Sequence, residues 1–80
     1  MTRRIESKET IGKLIVAETI QHADCVNVTW NEVFWHAPDE TGCNWGISVA
    51  NHYEGIACIE RMQAFIDHLR ATVNLPDQTI

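Results

Sequence analysis

The sequence predicts an α+β fold of order helix–hairpin–helix, and three observations carry that prediction. Apolar residues recur at helical spacing toward both ends of the chain, they alternate with polar residues in the middle, and a turn bearing Pro38 and Gly42 divides the alternating stretch. A hairpin alone is marginal in water, so the flanking helices are expected to cover its apolar face. The result is a two-layer sandwich of order α-β-β-α, an antiparallel hairpin packed by two helices. A short edge strand within residues 2–6 would convert it to β-α-β-β-α. Residues 1–80 read as a single domain without repeat, linker or low-complexity segment.

The first helix is expected from about Ser7 to Ala23. Ser7 suits the N-cap, and Glu9 puts a carboxylate in the first turn, where the helix dipole favours it. Ile11, Leu14 and Ile15 fall on one side, whereas Val16, Ile20 and Ala23 fall nearly opposite, with Ala17 between. A helix apolar around most of its girth wants burial on two sides. One layer of a small domain covers only one of them. That mismatch points to a partner.

In the middle, Cys43, Trp45, Ile47 and Val49 alternate with polar or small residues, the period of a half-buried strand. Upstream, Val26, Val28 and Trp30 alternate in the same way, and then the parity changes so that Val33 and Trp35 are apolar. One extra residue near Asn31 and Glu32, a β-bulge, would return all five to one face. The turn over residues 38–42 would then set Trp35 against Trp45 and Val33 against Ile47.

The C-terminal helix has the clearest pattern. Ile59, Met62, Ile66, Leu69 and Val73 recur at spacings of three and four, Phe65 widens the stripe, and charged residues fill the other side. The spacing predicts a helix over residues 56–74 with Ile59, Met62, Ile66 and Leu69 buried. Pro76 disfavours helical geometry at Leu75 and ends it. Asn51 and Glu54 have the spacing of a capping box, which would start the helix earlier.

Composition narrows the function classes. The hydrophobic fraction of 45% and charged fraction of 21% belong to a folding chain rather than a disordered one. The N-terminus carries no apolar run behind its charges, so no secretory signal is expected, and the longest apolar stretch, Leu14 to Ala17, is too short to span a bilayer. Residues 1–13 hold Arg3, Arg4, Lys8 and Lys13 against Glu6 and Glu9, a net of +2; the other 67 residues hold Arg61 and Arg70 against nine carboxylates, a net of −7. A body of that sign repels phosphate backbones, which argues against nucleic-acid binding. Three cysteines, Cys25, Cys43 and Cys58, form an odd set without framework spacing. They are expected to stay reduced and metal-free in a cytoplasmic protein.

No catalytic constellation emerges. His22 and Cys25 have a two-residue spacer, and His36 and Cys43 flank the turn, but no second tight pair of ligands completes a metal site. Cys58, near His52, sits beside the apolar stripe, where desolvation raises a thiol pKa rather than lowering it. Glu32, Asp39 and Glu40 read as solvated hairpin carboxylates without an apolar pocket to tune them. No phosphate-cradling Gly loop is present. The reading is therefore a small non-enzymatic protein-interaction module without cofactor, self-associating as a homodimer. Ile11, Leu14, Ile15 and Trp35 are the candidate contact residues. The alternatives are an acidic inhibitor or regulator of phage or mobile-element type bound to a basic protein, and a small metal- or thiol-dependent protein.

Overall fold

Ser7 caps the first helix as its position predicts: in the computed structural model, which describes residues 3–50 and 52–76, its side-chain oxygen accepts the Thr10 amide hydrogen at 3.1 Å. Helix α1 runs Lys8–Thr19, shorter than the pattern suggests. Thr19 explains the early stop. Its hydroxyl donates back to the Ile15 carbonyl at 2.6 Å and accepts the Trp30 indole N–H at 2.9 Å, so the last turn is tied to a distant strand segment. The chain then turns into a short 3₁₀ helix, Ala23–Cys25.

The hairpin carries the extra residue that the change of parity predicts. Strands β2 (Phe34–Trp35) and β3 (Trp45–Gly46) pair antiparallel, Phe34 opposite Gly46 and Trp35 opposite Trp45. Farther from the turn, Trp30 bridges Val49. Four steps lead from Trp30 to Phe34 and only three from Val49 to Gly46, so one residue of the upstream strand is unmatched. The bulge lets Val33 turn inward, where it is buried. Pairing is briefer than expected, because the ladder stops short of Val33 and Ile47, and Val26 lies outside it and is exposed. Gly46 is needed where it stands: a Cβ there would lie 2.6 Å from the Phe34 ring, which crosses the strand over it.

The turn is built by Asp39. Its Oδ1 accepts hydrogens from the Thr41 amide, the Thr41 hydroxyl and the Cys43 amide, and Gly42 completes the turn at φ +91. Arg70 closes on Oδ2 at 3.2 Å. The Thr41 hydroxyl bond is the largest of several influences that hold the Asp39 carboxyl below its ordinary pKa, with the backbone amides and Arg70 adding to it. Asp39 is thus an organiser of the loop, not a free solvated carboxylate.

Helix α2 spans His52–Thr72, beginning before and ending ahead of the expected 56–74. The Asn51–Glu54 capping box lies outside the described residues. Cys58, Met62 and Leu69 are buried, whereas Ile59 and Ile66 are only half-buried, so the buried stripe is turned toward Cys58 from the one that spacing predicts. The last expected helical turn is instead strand β4 (Val73–Asn74), parallel to β1 (Arg4–Ile5), which realises the edge strand foreseen as the alternative topology. Tertiary hydrogen bonds outweigh helical propensity there. The Trp45 indole donates to the Val73 carbonyl at 2.8 Å, and the Asn44 amide both donates to and accepts from the Leu75 backbone at 2.9 Å.

The architecture is mixed α+β, as the sequence predicts, with two helices, an antiparallel hairpin and a small parallel sheet. Ile11, Ile15, Cys43, Trp45, Cys58, Met62, Val73 and Leu75 make the fully buried centre. One expectation fails outright. Cys25 and Cys58 are joined in a disulfide across Cα atoms 4.7 Å apart, and only Cys43 is free. The pair is 33 residues apart, a separation that carries no pairing signal, and the odd count hid it.

Candidate interaction surface

Helix α1 packs on α2, and its Ile11 and Ile15 are wholly buried in the core of one chain. They are therefore core residues and not contact residues, contrary to the sequence reading. Leu14 and Trp35, the other two candidates, are half-buried and pack against the same core. What remains open is the opposite side of the helix. Val16 is 50% exposed and Ile20 75% exposed.

This open side continues beyond the helix. The 3₁₀ helix brings Val26, 81% exposed, to the end of the Val16–Ile20 stripe. A hollow of about 540 Å³ lies between them, walled by Cys25, Val28 and Trp30. Trp30 is held there by its indole bond to Thr19, so the wall is fixed by the hydrogen bond that ends α1. A second shallow hollow of about 500 Å³ shares Val16 and Trp30 with the first and extends to Glu9, Lys13 and Glu32. The two form one apolar face with charges of both signs at one end. A large exposed apolar patch rimmed by polar groups is the signature of a contact surface.

The flanks of this face are tied by polar contacts. Glu18 meets His22 one turn on at 2.8 Å, and Asp24 meets Arg61 of α2 at 3.0 Å. A separate groove of about 460 Å³ runs between the hairpin and α2, with Phe34, Ile47 and Ile66 on its floor and His36, Asp67 and Arg70 at its rim. Arg70 is already committed to Asp39 and to the Trp45 carbonyl.

The side chains of the His22–Cys25 and His36–Cys43 pairs are engaged elsewhere. Cys25 is consumed by the disulfide, and the His22 ring is engaged by Glu18. The Cys43 thiol is buried and donates to the Trp45 carbonyl at 3.3 Å, while His36 Nδ1 lies 2.7 Å from the Ala37 carbonyl oxygen. Among the described residues no three His, Cys, Asp or Glu side chains converge as a metal site requires. Cys58 is likewise spent in the disulfide. No helix among the described residues is long and apolar enough to cross a membrane.

Sequence reasoning missed Val26; Trp30, which walls the hollow, is half-buried like Trp35. Val26 was assigned by parity to a strand, yet it directly follows Cys25, and the disulfide keeps that segment on α2 rather than in the ladder. Val16 and Ile20 were visible as the second stripe of α1; only the choice between stripes was open. No family model matches the chain, and neither a curated protein nor a solved structure matches it.

Proposed function

We propose that the protein is a non-enzymatic interaction module that self-associates as an isologous homodimer through the outer side of α1. The observation that carries this reading is the continuity of Val16, Ile20 and Val26 across one open apolar face. Two features suit a second copy as occupant. Ile20 and Val26 project beside a hollow that can receive the same residues from a symmetry mate, and the face carries Lys13 alongside Glu9 and Glu32, so a two-fold axis can oppose unlike charges.

The energetics set the expected strength. Full burial of an exposed Val or Ile returns about 1.5–3 kcal/mol. Association costs about 4–15 kcal/mol in lost freedom. An isologous contact buries these three side chains on both copies, six in all or about 9–18 kcal/mol, which offsets a cost of that size and leaves a weak, concentration-dependent dimer. Sedimentation over a concentration series is the test. Wild-type protein should move from a 9.1 kDa monomer to a species of twice that mass, and Ile20→Glu should remain monomeric with an unchanged circular dichroism spectrum.

A basic protein partner is the second reading, favoured by the net charge of −7 beyond residue 13. Under it, wild-type protein stays monomeric at all concentrations and binds a basic amphipathic helix with strong salt dependence. As to compartment, the Cys25–Cys58 bond supports an oxidising environment over the cytoplasm that three free thiols would suit. Thiol alkylation of freshly isolated protein, before and after reduction, reads that directly.

A further inference from the structure

The groove between the hairpin and α2 runs into a polar cup. Ile59, Gln63, Ile66, Asp67 and Arg70 follow one another along α2 at helical spacing and form one side of the groove of about 460 Å³. Asp67 and Arg70 also line a second hollow of about 350 Å³, completed by Arg3, Thr41 and Ala71. The two hollows therefore meet at Asp67 and Arg70. On the groove's other side Phe34, an exposed ring laid over Gly46, joins Ile47 in an apolar lining.

The cup holds two charges that no opposite charge meets. Arg3 donates to the carbonyls of Thr41 and Arg70, both neutral groups. Two of the five guanidinium N–H groups are used this way, which leaves donors for a carboxylate. Asp67 accepts at one oxygen from the neutral Gln63 amide, at 2.8 Å. Arg70, beside them, is paired with Asp39. Among the described residues, neither Arg3 nor Asp67 forms an ion pair. A plain carboxylate entering the cup would meet Asp67 as a like charge, and a plain amine would meet Arg3 in the same way. A zwitterion meets each with its opposite. An α-amino acid carries ammonium and carboxylate on one carbon, which suits a cup that both complements line. Its side chain is then left to the groove, whose size and lining favour a large apolar one.

We propose that the junction of the two hollows is a binding site for a free α-amino acid with a large apolar side chain, such as phenylalanine. Asp67 takes the ammonium, Arg3 takes the carboxylate, and the side chain lies along Phe34, Ile47 and Ile66. The site does not depend on self-association, since Trp30 alone borders both the groove and the open face of α1. So small a ligand at so open a site supports a dissociation constant of about 1 mM.

The test titrates L-phenylalanine into the methyl-labelled, oxidised full chain at about pH 6, where α-amines are protonated. Methyls of Ile47, Ile59 and Ile66 should shift along a saturable curve, with Val16, Ile20 and Val26 unmoved. Phenylalanine amide lacks the carboxylate and N-acetylphenylalanine lacks the ammonium; each should bind about five- to tenfold more weakly. L-Alanine, with nothing to fill the groove, should bind at least about tenfold more weakly. Asp67→Asn changes an exposed residue that still accepts from Gln63, so its ligand-free spectrum should match the wild type while its preference for phenylalanine over the N-acetyl form disappears. No saturable shift at the three isoleucines overturns the site. Equal binding of the N-acetyl form points to a plain carboxylate and equal binding of the amide to a cation, and either contradicts the zwitterion. A wild-type preference retained in Asp67→Asn overturns the role of that residue and the proposal with it. Self-association stands or falls separately in every case.

Discussion

At the hairpin end, side chains reach for backbone: Asn44 brackets Leu75, Trp45 holds Val73, Asn74 donates to the Gly42 carbonyl, and Arg3 donates to the carbonyls of Thr41 and Arg70. On the outer side of α1, the segment between Thr19 and Val28 carries the Cys25–Cys58 disulfide and the exposed Asp24–Arg61 pair to α2, and its Ile20 and Val26 face outward. The first region uses directional, mutually supporting bonds around a buried tryptophan. The second includes a covalent link and leaves Val16, Ile20 and Val26 exposed. A domain of 80 residues has a small core to share out. Here that core is one cluster running from Ile11, Ile15 and the Cys25–Cys58 pair to Trp45, Val73 and Leu75, and the outer side of α1 lies outside it.

The comparison breaks first at Trp45. Trp45→Ala removes a fully buried ring and the bond to Val73, and should cost about 3–5 kcal/mol, measured by urea unfolding. Loss on that scale is a large share of a small domain's stability, so β4 should detach from β1 before the helices melt. A cost near that of a surface substitution would show that the hairpin end is not the stability centre.

Next in size is the disulfide. The bond closes a loop across 33 residues, which by chain entropy stabilises the fold by about 3–4 kcal/mol. Unfolding in the presence and absence of reductant should differ by that amount, with α1 and α2 still helical in the reduced protein at low denaturant. Little difference would mean that the segment after Thr19 is pinned by packing alone.

The sequence foretold the regular parts of both regions and not the links between them. Ser7 as cap, the Trp35–Trp45 pair and the extra residue between Trp30 and Phe34 follow from local patterns, and the structure has each. Local pattern is what periodicity and capping read. The end of α2 at Thr72, by contrast, depends on Trp45 and Asn44, which lie some thirty positions away. The same holds for the face of α1: two apolar stripes were legible, but only the rest of the core decides that Ile11 and Ile15 are covered and Val16 and Ile20 are not. Cys25 and Cys58 are the sharpest case, since their pairing is set by how α2 lies against the 3₁₀ helix and by nothing near either residue.

The smallest expected effect lies in the turn. Folding lowers the Asp39 pKa, chiefly through the Thr41 hydroxyl, so its carboxylate contributes stability above its unfolded pKa. That contribution is lost as pH falls through the lower folded value. Asp39→Asn should therefore lower the neutral plateau of a melting-temperature profile slightly and flatten its acid limb, with the acid end little changed. An unchanged acid limb would remove Asp39 from the hairpin end's bonding.

The central claim is that the open side of α1 meets a second copy while its inner side never does. The most direct measurement is methyl NMR of Ile- and Val-labelled protein, followed on dilution through the micromolar range. Val16, Ile20 and Val26 methyls should shift together as the dimer dissociates, with Ile11, Ile15 and Val73 unmoved. Spectra that do not change with concentration, or shifts confined to Ile47, Ile59 and Ile66 in the groove between the hairpin and α2, would contradict it.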